Sequence, residues 1–279
     1  MPLPAEYATI GYFVAYGLAV LIAIKLARNW QRDERLHRSA GQGVLRRWEE
    51  LTEGLITRFL VGGGMPPLAG YLLARFFPHL PGAFWIGVGV AGIWVIRGLC
   101  REVLAASDHY MWYLGERYVG DILAPLTAKG WRIVHDVPCP LGNLDHVAVG
   151  PAGVFVIETR ARRKRGDGVH EKVVKFDGWA LEWPWGIDNG DLHQVEDNAS
   201  WLHYEIKRTR GSAPSVTPIL TLPGWWVDNT RNRGDRRPGD VWNPKWFTQR
   251  MVDAPEILAP EDITAIADLV ESRCRDVSV

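Results

Sequence analysis

The chain has 279 residues, 32 Lys and Arg against 32 Asp and Glu, and 47% hydrophobic residues with 14 Trp among the aromatics. Zero net charge excludes a global basic field, so contact with a polyanion has to come from local clusters. Three cysteines, Cys100, Cys139 and Cys274, have no metal-type spacing and cannot all pair, which excludes a disulfide scaffold and points to reduced thiols in a cytoplasmic compartment.

The length admits two domains, and the charge is uneven along it. Up to Ile96 there are nine Lys/Arg against six Asp/Glu; from Arg97 onward there are twenty-three against twenty-six. Residues 7–27 are almost wholly apolar, about long enough to cross a bilayer, with neither a basic flank nor a cleavage signature, so they read as a retained anchor. Residues 28–58 read as a polar connecting segment, helical in part. Two shorter apolar stretches follow, 59–74, broken by Gly62-Gly63-Gly64 and Pro66-Pro67, and 80–96. They predict two further spans, with a hairpin dipping into the membrane or a buried soluble pair as alternatives. Eight basic residues in 25–58 place that segment in the cytoplasm. The expectation is a multi-pass cell-membrane protein with an anchor over 1–96 and a cytoplasmic domain over 97–279.

Leu114–Ala128 reads as an amphipathic helix with Val119, Ile122, Leu123 and Leu126 on one stripe. Glu116, three residues before Val119, falls on that stripe, either as a first-turn carboxylate favoured by the helix dipole or as an acid facing a sheet. Residues 130–137 read as a strand and 138–143 as a loop. Next come Val147–Val149 and Val154–Ile157, flanking Gly150-Pro151-Ala152-Gly153, a tight hairpin turn. With Pro151 and Ala152 central, cross-strand partners sum to 303, which sets Asp145 opposite Glu158 with Cβ atoms roughly 5 Å apart. Arg160 shares the face of Glu158 two residues on, and both arms are apolar on both faces, as in a sheet covered on each side.

Opposed carboxylates repel and call for a cation, and a hard divalent ion with oxygen ligands, Mg²⁺ or Mn²⁺, suits phosphate chemistry. Ordinary surface charges on a hairpin are the plain alternative. Beyond it lie a basic loop, 161–168, strands over 173–176 and 179–183, and a helix over 192–208 with Val195, Ala199, Leu202 and Ile206 inward and Gln194 in its first turn. A strand over 216–222, a charged loop over 229–239 and a closing helix over 260–273, with Ile263, Ile266, Ala267 and Val270 inward, complete an α/β sandwich with a mixed central sheet.

The segments Gly115–Leu126, Gly130-Trp131, Leu144–Glu158 and Gln194 with Asn198 and Trp201 together resemble the nuclease-related domain, NERD, a branch of the PD-(D/E)XK phosphodiesterase superfamily. The resemblance spans roughly 113–222 and implies a restriction-endonuclease-like core that cleaves nucleic acid with Mg²⁺ or Mn²⁺ and water as nucleophile. It implies Asp145, Glu158 and Glu116 around the metal and Gln194 on the second helix. The family's lysine is Arg160 here, a permanent cation that cannot act as base. Lys164, Lys172 or Lys175 could supply an ammonium instead. Arg162, Arg163, Lys164, Arg165, Lys172 and Lys175 are expected to contact phosphates, on DNA ahead of RNA. The rival readings are a catalytically weak nuclease fold that tethers nucleic acid at the membrane, and a structural membrane protein.

Overall fold

The computed structural model describes residues 39–80, 82–164, 168, 172–229 and 240–274. The expected span 7–27, Arg165 and most of the charged loop 229–239 lie outside them. Two compact units divide the described residues, the first containing residues 46–109 and the second residues 39–45 together with those from 110 onward. The expected boundary at Ile96–Arg97 therefore falls inside one helix.

The first unit is a helical hairpin. Helix α1, Gln42–Phe76, is continuous through Pro66 and Pro67, although two missing N–H groups and a Gly triplet predict a break there. Tertiary contact overrides the local preference. A Cβ on Gly70 would stand 2.7 Å from Phe84 O, and one on Gly87 2.7 Å from Ala69 O, so α1 and its partner α2, Ala83–Leu123, touch backbone to backbone where side chains are smallest. Among the described residues one helical run, Ala83–Lys129, is long and apolar enough to cross a membrane; its most apolar window has mean hydropathy 1.7 and is 11% buried. The stretch 59–74 is the second half of α1.

The second unit is mixed α/β. A five-stranded sheet has the order β1-β2-β3-β7-β9, built from Arg132–Cys139, Gly142–Gly150, Gly153–Thr159, Val216–Thr221 and Asp240–Trp242. The loop expected at 138–143 is a two-residue turn. The hairpin register is the one the turn residues predict: His146 pairs with Ile157 and Gly150 with Gly153, whose φ of 121° admits no side chain comfortably. β7 joins β3 in parallel, which requires the crossover supplied by helix α3, Gly190–Arg210.

The sheet is covered on both faces. Val154 and Val156 pack with Val195, Ala199, Leu202 and Ile206 of α3 and with Ile263, Ile266, Ala267 and Val270 of α5, Pro260–Arg273. Phe155 and Ile157 pack with Val119, Leu123 and Leu126, and with Phe247 and Met251 of α4, Pro244–Val252. A second, four-stranded sheet, β6-β5-β4-β8, comprises Gly186–Ile187, Leu181–Trp183, Val173–Phe176 and Trp226–Asn229. There Trp183 stacks on Trp185 at 5.2 Å and meets Trp225 edge-on at 5.2 Å. β6, β8 and β9 have no clear periodicity in the sequence, because two to four residues are too few to show alternation, and the nine residues of α4 make only about two and a half turns.

Candidate active site

Four elements of the second unit deliver charged groups to one end of the large sheet. Asp145 stands near the start of β2, Glu158 and Arg160 at the end of β3, Glu116 on α2, and Asp191 with Gln194 in the first turns of α3. Because α2 begins at Ala83, Glu116 lies far from any first turn; the dipole reading fails and its burial on the inward stripe stands. Glu116, Asp145 and Glu158 are 5%, 8% and 0% exposed.

Arg160 ties the acids together. Its Nη1 lies 3.4 Å from Asp145 Oδ2 and its Nη2 3.3 Å from Glu158 Oε2, so the guanidinium bridges the two carboxylates that the hairpin opposes. Nε donates to Asp191 Oδ1 at 3.0 Å and Nη2 to Gln194 Oε1 at 2.8 Å. Burial works against this charge, and Asp145, Glu158 and Asp191 more than offset it, holding the guanidinium above its ordinary value.

The acids pull the other way. Burial pushes Glu116 up to about 10, with Asp145, Asp136 and Glu158 adding repulsion. Burial raises Asp145 to about 6, against Arg160 and the Thr159 N–H, which donates to Oδ2 at 2.7 Å. Glu158 is raised well above its ordinary range by burial and by Asp145, although Asn198 Nδ2 donates to its Oε1 at 2.8 Å. A site with several buried acids and one cation is short of positive charge.

One oxygen shows where more could be placed. Glu158 Oε2 is buried and accepts no hydrogen bond, with the Arg160 Nη2 charge 3.3 Å away, and the Asp145 carboxyl lies against that of Glu158. Hard oxygens of this kind fit a divalent cation. Among the described residues no three His, Cys, Asp or Glu side chains are spaced to hold a metal together, so the fit is to a pair, Asp145 and Glu158, rather than to a preformed cage.

Two participants, Asp191 and Asp136, escape sequence reasoning, and a third, Asn198, is named by the family resemblance without a role. Asp191 accepts from Arg160 and, through Oδ2, from Arg162 Nη2 at 2.5 Å. Asn198 holds Glu158. Asp136, buried with φ 55° in the left-handed region that Asp tolerates, accepts from Asn143 Nδ2 at 2.7 Å and raises both Glu116 and Asp145. The run Asp188-Asn-Gly-Asp191 stands at the start of α3, and nothing in its sequence indicates an arginine thirty-one positions away.

The basic residues divide. Arg162 is committed internally: it pairs with Asp188 at 2.8 Å and with Asp191, and lies 4.5 Å over the Trp183 ring. Lys175 stands on the outer face of β4 with Glu182 at 3.3 Å, so it supplies no ammonium to the acids. Lys164 is exposed, with its ammonium 5.9 Å over Trp225; Arg163 and Lys172 are exposed. In the basic run Lys207–Arg210 at the end of α3, Arg208 pairs with Glu205 and Arg210 with Asp262.

No curated protein and no solved structure matches the chain. Residues 112–223, the segment that carries all four buried acids, Arg160, Asp191 and Gln194, match the family model of the nuclease-related domain, NERD.

Proposed function

We propose that this protein is a membrane-anchored, metal-dependent nuclease that hydrolyses phosphodiester bonds in nucleic acid, DNA ahead of RNA, with its second unit in the cytoplasm. The observation that carries the reading is the convergence of Glu116, Asp145 and Glu158 on one arginine inside the NERD-like segment, with Glu158 Oε2 buried and accepting no hydrogen bond. Burial of several acids without sufficient counter-charge is costly and marks functional sites.

Asp145 and Glu158 would hold one Mg²⁺ or Mn²⁺. Such an ion supplies Lewis-acid charge for the phosphate oxygens and lowers the pKa of water. Arg160, always protonated, serves as a phosphate-binding fork and cannot take a proton from water. Glu116, held protonated by its surroundings, can donate a hydrogen bond rather than bind as an anion. Gln194 gives its carbonyl oxygen to Arg160 and keeps its two amide donors for a phosphate oxygen or a water. Lys164, Arg163 and Lys172, exposed on the loop and strand entry beside the site's second sheet, supply backbone-phosphate contact without sequence preference.

A second reading has its own support. Arg160 already bridges the two carboxylates and is held by Asp191 and Gln194, a neutralisation that a nucleic-acid tether without catalysis would keep. Full-length protein in detergent micelles, incubated with supercoiled DNA or single-stranded RNA in Mg²⁺, Mn²⁺ or a chelator, separates the two. Metal-dependent nicking that disappears in Glu158→Ala supports the nuclease; retained binding with no cleavage in any metal makes it a tether.

A further inference from the structure

The helical hairpin of the first unit contains a cleft and a groove that meet. The cleft, about 740 Å³, is lined by Arg58, Arg97 and Arg101 together with Val61, Met65 and Trp94. The groove, about 610 Å³, runs along Ala69, Leu73, Ile86 and Val90 and shares Met65 and Trp94 with the cleft. One end is therefore cationic and the other wholly apolar.

The charges at the cationic end are not spent. Arg58 pairs with Glu102 at 2.7 Å, whereas Arg97 and Arg101 are exposed and have no ion-pair partner among the described residues. Glu102 presents a second oxygen, Oε2, that is buried and accepts no hydrogen bond. The end thus carries three cations against one anion, with one acceptor waiting for a donor. From Arg97 back to Ile86 the helix rises roughly 16 Å, about half the thickness of a bilayer's hydrocarbon core. The neighbouring side chains along the groove, Trp85, Val90, Ile93 and Trp94, are all exposed.

We infer that this cleft and groove form a site for one anionic glycerophospholipid of the phosphatidylglycerol type. Its phosphate lies against Arg97 and Arg101, a headgroup hydroxyl donates to Glu102 Oε2, and one acyl chain fills the groove past Trp94 towards Leu73. Basic pockets between membrane helices on the cytoplasmic side select anionic headgroups in this way. Two uncommitted arginines set a preference over the zwitterionic choline headgroup, which lacks a donor, of roughly tenfold or more. The inference rests on the reading that this hairpin lies in a membrane.

The test uses the full chain in dodecyl maltoside micelles, titrated separately with phosphatidylglycerol, phosphatidylcholine and inorganic phosphate, with lipid retention read by native mass spectrometry and stability by thermal unfolding. The expected result is tenfold or greater retention of phosphatidylglycerol, a rise in Tm with that lipid, and no effect of inorganic phosphate at equal concentration. The double variant Arg97→Gln/Arg101→Gln should retain both lipids equally, and Val90→Trp, which fills the groove, should lose retention of both. Equal retention of the two lipids by the wild type overturns the site, as does an undiminished preference in the double variant or displacement by inorganic phosphate. Vesicle flotation separates this outcome from failure of the membrane reading: protein that floats but shows no headgroup preference lacks the site, and protein that does not float lacks the membrane.

Discussion

The two units break the ordinary rule of inside and outside in opposite directions. In the helical hairpin, Trp85 and Trp94 are each 71% exposed and Val90 67%, a row of apolar surface that water does not favour. In the α/β unit, Glu158 is fully buried and Glu116 nearly so. Neither arrangement lowers the free energy of an isolated chain in water, and under the proposed function each is relieved by something that is not this protein: hydrocarbon around the first, positive charge within the second. What a region exposes or hides against the rule is thus a better guide to its ligand than what it packs well.

The comparison can be broken most severely on the acidic side. Glu158→Ala should lower metal-dependent cleavage on the order of a thousandfold or more, the scale of removing a group from a site that acts as a unit. The same logic requires Mg²⁺ to raise the Tm of the wild type and to leave Asp145→Asn almost unmoved; equal shifts would refute a metal at Asp145.

Arg160→Ala comes next, with a loss on the order of a hundredfold in single-turnover rate, the scale of one preorganised donor, while Arg160→Lys should retain or raise activity. Unchanged cleavage in the alanine variant would hand the role to another cation. On the hairpin side, Gly87→Leu forces a side chain against Ala69 O and should destabilise the first unit by roughly 1–3 kcal/mol, seen as a lower Tm in micelles. An unaltered transition would mean the helices do not approach there.

Asp191→Asn should have a smaller effect, roughly tenfold or about 1.4 kcal/mol in the cleavage barrier, by loosening the guanidinium without removing it. A merely structural role for Asp191 would lower Tm and leave the rate at permissive temperature intact.

The smallest effect is on pH. Because the fold raises Asp145 from 3.8 to about 6, its contribution to stability is complete below the lower value and is lost as pH rises through the upper one. Asp145→Asn cannot ionise, so the Tm gap between it and the metal-free wild type should move in the variant's favour across that interval. A constant gap would show that Asp145 titrates as it does in the unfolded chain.

Much of the site's framework is local and was legible. The Gly150–Gly153 turn sets the β2–β3 register by itself, because a two-residue hairpin loop leaves no freedom to slip, and that register opposes Asp145 and Glu158. The 3.6-residue period of α3 and α5 likewise names their buried faces, and the same period on α2 turns Glu116 inward with Val119. Only tertiary structure decided which charges meet. Asp191 and Asn198 reach Arg160 and Glu158 because the parallel β3–β7 pairing requires a crossover, and that crossover lays α3 across the strand ends; no spacing in the chain encodes a contact between residues thirty or forty positions apart. The same holds for Arg162, which sequence alone assigns to phosphate contact and the fold commits to Asp188, Asp191 and Trp183. It holds also for the proline pair of α1, where packing against α2 sustains a helix that the local sequence would end. Local rules act within a turn or two of backbone, whereas compensation of buried charge is a property of the three-dimensional neighbourhood.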